Sequence, residues 1–321
     1  MHIHWLLPQN IEHIHELVRS PMASCRLRAG ALWTAIRHTE HHFTVGEVLD
    51  AGADVCVIGK VGGFETGLKH KAWVDQLRNF KGRIVLDFTD DHLSHTTVMS
   101  VFYADCLQLA HQVVCSSVWL QSVVEQRFAG PVRVIEDAID VPIVPPKNRI
   151  GDPLRVLWFG HASNMRGLTD FLPLLPRNRA LEMVIVSNPQ GLQMLHGYKL
   201  PSPMMTVRPR VWSLSEMMRA AQESDICIIA VEQSSMRKAG VSANRLLTAL
   251  TLGLPTAADT VPSYADFSPY FSALRTSAFH ELLHSPLDAS HQVQAFQREV
   301  PARFSMKAMG QTWLDFLSEP V

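Results

Sequence analysis

Two stretches of this chain gather side chains that could do chemistry. The first is Asp87-Phe88-Thr89-Asp90-Asp91-His92, followed shortly by His95, at the end of the apolar run Ile84 to Phe88. Carboxylates and a histidine at the carboxyl end of a strand can serve as an acid, a base or hydrogen-bond partners for a hydroxyl. Asp90, Asp91 and His92 are therefore the candidate catalytic residues. The competing reading is that both aspartates cap the helix that follows. The second stretch runs from Ser224 to Asp266. There the apolar run Asp225 to Ala230 meets a polar loop with Gln233, Ser234, Ser235, Arg237, Lys238 and Gly240. A helix follows, its entry marked by Ser242, its apolar side by Leu246, Leu247, Ala249 and Leu250, and its end by Gly253 and Pro255. A strand, a loop with two cations and a helix start make an anion site, because free N–H groups and the positive end of the helix dipole point outward.

These residues need a scaffold, and the chain supplies one of alternating strands and helices. Short apolar runs fit buried parallel strands: Ile3 to Leu7, Asp54 to Gly59, Ile84 to Phe88 and Gln112 to Cys115. The second half repeats the pattern with Leu154 to Phe159, Leu181 to Val186, Val207 to Val211, Asp225 to Ala230 and Thr256 to Ala258. Helical spacing lies between them, for example Leu27, Ala31, Leu32 and Ala35, then Trp73 to Leu77, then Leu214 to Ala221. The proline-rich Val141 to Pro153 reads as a linker. The sequence therefore predicts an α/β protein of two Rossmann-like domains, which would leave a cleft between them for a small ligand. Arg26 and Arg28 stand near the first helix start, either facing that cleft or as solvated helix cations. Gly62-Gly63 could let a substrate approach the backbone, or could be a plain loop.

Composition removes several classes. The chain has 321 residues, 47% of them hydrophobic and 18% charged, with a net charge of -1. That describes a well-cored globular protein and gives no basic surface for nucleic acid. No apolar run reaches a membrane span, and MHIHWLLPQN does not read as a signal peptide. Five scattered cysteines without a Cys-x-x-Cys fit buried thiols in a reducing compartment, so a cytoplasmic protein is expected. His2 and His4 share one face of a strand, but no ligand set with metal spacing accompanies them, so no metal is expected.

The ordered set Asp225, Ser242-Ala243-Asn244-Arg245, Gly253-Leu254-Pro255 and Pro262-Ser263-Tyr264 resembles the donor half of GT-B glycosyltransferases of the group 1, or family 4-like, kind. One departure is clear: where many retaining members carry two glutamates eight residues apart, this chain has Gly240 and Thr248. The resemblance implies an acceptor-side domain over 1–146, a nucleotide-sugar domain over 152–300 and a C-terminal helix over 301–321 that crosses back onto the first domain. It also implies transfer of a sugar from a nucleoside-diphosphate-sugar to a hydroxyl acceptor, with no cofactor or metal. Gly160 would let the backbone close on the diphosphate, and Arg166 would offer its fork to the phosphate oxygens. Lys238, Ser242, Asn244 and Arg245 would complete the donor site and stabilise the leaving charge. If the anomeric centre inverts, Asp90 or Asp91 would be the base. Two further readings share the fold: a nucleotide-sugar 2-epimerase using Asp90, Asp91 and His92, and a catalytically idle binding or partner protein. The resemblance also leaves room for peripheral membrane contact.

Overall fold

A computed structural model of the chain describes residues 1–8, 11, 13–61 and 67–319. Gln9, Asn10 and the Gly62-Gly63 turn lie outside them. The chain divides into two compact units. The first contains Met1–Asp140, Ala239–Ser242 and Ala302–Val321, and the second Val141–Lys238 and Ala243–Pro301.

The first unit is built on six strands: β1 (His2–Leu6), β2 (His42–Gly46), β3 (Val55–Ile58), β4 (Arg83–Phe88), β5 (Gln112–Cys115) and β6 (Val132–Val134). They pair in parallel in the order β2-β1-β3-β4-β5-β6. Both faces of the sheet are covered, which is why β3 is apolar throughout and its neighbours are largely apolar rather than alternating. Val55, Val57, Val85 and Val114 point into one core with α1 (Gly30–Ile36). Cys56, Ile58, Leu86 and Phe88 point into the other, with α2 (Gly67–Asn79), α3 (Ser100–Leu109) and α4 (Val118–Glu125). The strand order reverses between β1 and β3, beside Gly59-Lys60 and the end of β1 at Leu6.

The second unit repeats the design with β7 (Leu154–Phe159), β8 (Leu181–Ser187), β9 (Met205–Val211), β10 (Ile226–Ile229), β11 (Thr256–Ala258) and β12 (Ser272–Ala273). Their order is β12-β11-β10-β7-β8-β9, all parallel, and it reverses between β7 and β10. Helices α5 (Met165–Phe171), α6 (Pro189–Met194), α7 (Leu214–Glu223), α8 (Asn244–Thr251), α9 (Ser277–His284) and α10 (Ser290–Glu299) cover it. Ser213 caps α7 by accepting from the Glu216 N–H at 3.1 Å.

The last helix, α11 (Met306–Ser318), belongs to the first unit and packs on α1. Its Gly310 lies so close to Ala31 that a side chain there would strike the Ala31 backbone. Trp313 meets Trp5 edge-on at 4.9 Å. The sequence reading of a tail helix returning to the first half is thus correct. Two strands went unread, the edge strand β2 and the two-residue β12. The strand β6 stops at Val134, and among the described residues Ile139 then makes an isolated bridge to Ser305. Among the described residues no helix is long and apolar enough to cross a membrane.

Candidate functional site

The acidic stretch leaves the carboxyl end of β4 and is sorted sharply by its surroundings. Asp90 forms an ion pair with Lys60, both side chains being more than a third exposed. Burial alone would lower the Lys60 pKa, but Asp90, with help from Asp137 and Asp87, raises it, so the ammonium stays charged. Asp91 is 1% exposed. Its Oδ1 accepts the backbone N–H groups of Leu93 (3.1 Å) and Ser94 (2.8 Å). Asp91 therefore caps a turn; α3 starts only at Ser100 and has Met99 in its cap position. Its Oδ2 is buried without a hydrogen-bond partner among the described residues, and His95 Nε2 stands 3.9 Å away. A buried carboxylate oxygen left unpaired is costly unless something that donates a proton meets it. His92 stacks on Tyr103 at 4.7 Å and shares a hydrogen bond with Thr97 Oγ1 at 3.0 Å.

Beside this loop lies a buried charge network that sequence reasoning missed. Arg28 is wholly buried, not solvated. Its Nε donates to both Asp87 oxygens (2.8 and 2.9 Å), Nη2 to Asp87 (2.6 Å), and Nη1 to Asp137 (3.0 Å) and to the Ile135 carbonyl (2.9 Å). Burial pulls the Arg28 pKa down, and the two aspartates more than reverse it. Arg26 is likewise buried, bound to Asp140 and to the Ser20 carbonyl. The neighbouring residue, Cys25, has its thiol pushed up to about 11 by burial, so it is no nucleophile at neutral pH.

In the second unit the candidate residues gather at the β7–β10 reversal. Gly160 directly follows β7, its carbonyl accepting the Ser187 hydroxyl at 2.7 Å. A side chain at Gly160 would stand 3.1 Å from the Trp158 ring and 3.3 Å from Arg245 Nη1. Gly160 and Arg245, which the chain separates by a full domain half, thus meet at one point. Arg245 Nη1 is buried and has no hydrogen-bond partner among the described residues. Burial raises the pKa of nearby Tyr264, and the Arg245 charge and a side-chain hydrogen bond with Arg245 oppose that rise. Asn244 opens α8, one helical position before Arg245. Lys238 donates to Asn164 Oδ1 at 2.9 Å, which holds its ammonium at the start of α5. Arg166 is exposed and faces Glu232 (3.3 Å) and Asp170 (3.8 Å), so carboxylates engage it in the free chain. Its neighbour Gly167 lets α5 press against the backbone of Ala230 to Glu232 at 2.8 Å from a would-be Cβ.

Ser242 requires a correction. The expected helix entry falls one residue later, with Ala243 in the cap position and no side-chain cap bond. The Ser242 hydroxyl donates to Asp137 Oδ2 instead, within the first unit. The Arg237 side chain lies outside what the structure describes. Among the described residues no group of three or more His, Cys, Asp or Glu side chains is arranged to hold a metal ion.

No protein-family model matches the chain, and no curated protein matches it. Solved structures do. The Anabaena protein HepE in complex with UDP and glucose superposes with a TM-score of 0.64 over 99% of each chain, at 12% identity. An alpha-glucosyltransferase in complex with UDP and a 13-mer DNA containing a HMU base gives 0.60 over 99% of each, at 11% identity. AviGT4, a glycosyltransferase involved in avilamycin A biosynthesis, gives 0.53 over 98% of this chain and 96% of its own, at 9% identity. This chain has the GT-B fold.

Gly240 and Thr248 stand where the resemblance would place two glutamates. Gly240 is packed so that a Cβ would come 2.7 Å from the Trp119 ring, leaving no room for a glutamate. Thr248 is buried on α8.

Proposed function

We propose that this GT-B chain is a glycosyltransferase that moves a sugar from a UDP-sugar to a hydroxyl acceptor without a divalent metal. The observation that carries the reading is the buried, unpartnered Arg245 Nη1 beside Gly160, at the strand reversal where such sheets accept ligands. A diphosphate oxygen is the partner this guanidinium needs, and charge-assisted bonds of that kind are short and strong. The N-terminus of α8 adds its dipole, and Lys238, held at Asn164, adds a second cation. HepE and the alpha-glucosyltransferase were both solved with UDP, which favours uridine over other bases.

In the reaction the bond from the anomeric carbon to the diphosphate oxygen breaks, and the oxygen keeps the electron pair. Arg245, Lys238 and the amides at Asn244 would stabilise that charge as it develops. Asp91 is the stronger candidate base of the acidic loop, because its Oδ2 is unpaired whereas Asp90 is neutralised by Lys60. In a transfer with inversion it would take the acceptor proton, with His92 and Asp90 placing the hydroxyl. Residues 1–146 would carry the acceptor side, 152–300 the donor side and 301–321 the returning helix. The five free, buried cysteines suit a reducing cytoplasm.

A thermal-shift screen tests the reading with UDP, GDP, dTDP, ADP and CMP and their common sugar conjugates, with and without EDTA. Ligand at a hundredfold excess over Kd adds about 2.7 kcal/mol of stability. A shift with UDP and UDP-sugars that survives EDTA is expected. A flat response to every nucleotide would overturn the donor assignment.

A further inference from the structure

One carboxylate of the second unit sits among the cations expected to meet a diphosphate. Lys238 reaches Asn164 Oδ1 at 2.9 Å, and Arg166 stands two residues further along the same turn. Arg166 Nη1 lies 3.3 Å from Glu232 Oε1, and its Nε 3.8 Å from Asp170 Oδ2. The Asp170 side chain is 53% exposed and can turn to water, whereas that of Glu232 is only 19% exposed. Glu232 Oε1 also accepts the Ser234 hydroxyl at 3.3 Å. The backbone beneath it is fixed. The Val231 N–H donates to Asp259 Oδ2 at 2.8 Å, and Arg275 Nε holds Asp259 Oδ1 at 2.7 Å. Gly167 lets α5 press on the same backbone, a would-be Cβ standing 2.8 Å from the Glu232 nitrogen. The carboxylate is thus tethered beside whatever Arg166 binds.

We infer that Glu232 is a specificity-determining residue that favours a UDP-sugar over free UDP at this site. The two ligands share a base, a ribose and a diphosphate, and they differ in charge. The terminal phosphate of UDP loses its second proton near pH 6, so at neutral pH UDP carries about one negative charge more than its sugar conjugate. In the conjugate that oxygen is esterified and has no proton to lose. Arg166, Lys238 and Arg245 attract both ligands, while a tethered carboxylate repels the extra charge of UDP. The penalty therefore falls on the product, the species that has to leave after transfer. Product release limits turnover in many enzymes, and a cluster of cations without a carboxylate would hold the more highly charged product longest. Glu232 also keeps Arg166 paired in the free chain, so the guanidinium stands extended toward the loop before any ligand arrives. This inference rests on the donor reading above.

The test measures the affinities for UDP and for UDP-glucose by calorimetry on the full chain at neutral pH and low salt, together with the melting point of each variant without nucleotide. Glu232→Gln keeps the size of the side chain and removes its charge. It is expected to tighten UDP about threefold more than it tightens UDP-glucose, the factor that one unit charge at about 6 Å gives in water. In about 1 M salt, where the screening length is about 3 Å, that difference should close. Glu232→Asp keeps the charge and should leave the wild-type ratio of the two affinities in place. An unmoved ratio in Glu232→Gln overturns the inference, whether both ligands bind as before or both change equally. Equal weakening with a lower melting point would make Glu232 a structural residue. The wild-type protein checks the donor reading separately. Binding neither ligand refutes that reading and this inference with it, whereas binding with an unmoved ratio in Glu232→Gln refutes this inference alone.

Discussion

Arg245 offers a prediction in which stability and binding move in opposite directions. Its Nη1 is buried beside Gly160 without a hydrogen-bond partner among the described residues, although the guanidinium also interacts with the Tyr264 hydroxyl. A buried donor left unsatisfied costs about 1–3 kcal/mol. Arg245→Met keeps an unbranched apolar stem of similar reach and removes the charge. The substituted chain should gain about 1 kcal/mol, or a melting point about 2–4 °C higher for a unit of this size. The same change removes a charge-assisted bond to the diphosphate, worth about 1.5–3 kcal/mol. UDP affinity should therefore fall roughly tenfold to a hundredfold. Calorimetry with UDP and a melting curve without it read the two effects separately. A lower melting point together with weaker binding would make Arg245 a structural residue and refute the reasoning. Unchanged affinity would remove it from the donor site.

Two further expectations concern the first unit. Asp91→Asn should lower kcat by about 10²–10⁴-fold in a transfer assay if the acceptor proton goes to a protein base, while leaving the UDP affinity intact. Asp90→Asn, which weakens its pair with Lys60, should cost less; equal turnover for both variants would refute the choice of Asp91. His4 gives a pH effect. It is 2% exposed, shares a hydrogen bond with Thr44 Oγ1 at 2.9 Å through Nδ1, and has no partner for Nε2 among the described residues. Burial lowers its pKa from 6.5 to about 4, despite the nearby Asp50 carboxylate. Between those values the unfolded chain takes up a proton that the folded chain refuses. Stability is then full above pH 6.5 and drains away as the pH falls toward 4, by up to about 3 kcal/mol. Urea melts of the wild-type protein and His4→Leu across that window should diverge, and parallel curves would show that another group carries the acid sensitivity.

The scaffold was legible because parallel strands covered on both faces need unbroken apolar runs. Val55–Ile58, Gln112–Cys115 and Leu154–Phe159 announce themselves that way. The edge strand β2, His42–Gly46, did not, since it pairs on one side only and mixes His42 and Thr44 among its apolar residues. The placement of Gly160 and Arg245 was legible, because a strand end and a helix start fix the backbone there. Arg28 was not. Its partners Asp87 and Asp137 lie 59 and 109 residues along the chain. Periodicity tells which face a residue occupies but not what waits there, so a buried ion network reads as three ordinary surface charges.

Part of the motif that resembles GT-B enzymes turns out to hold the linker. Asp225 accepts the Arg155 N–H at 2.9 Å and Lys147 Nζ at 3.2 Å, which fastens the linker to the start of β7. Gly253 has a φ of +82°, open to glycine at little cost, and a Cβ there would come within 2.5 Å of the Val144 carbonyl. Gln297 Nε2 reaches that same carbonyl at 2.7 Å and the Leu250 and Thr251 carbonyls at 3.0 and 3.1 Å, closing the end of α8 against the linker. Aspartate and glycine at these positions therefore speak for how the linker packs on the second unit, and they would be needed in an idle member of the fold as much as in an active one. Arg245 is different in kind. It satisfies nothing in the fold through Nη1, and a guanidinium atom held in the interior at a loss has to be explained by what it meets there. That asymmetry, rather than the length of the motif, is what the proposed donor site rests on, and the opposed shifts expected of Arg245→Met measure it directly.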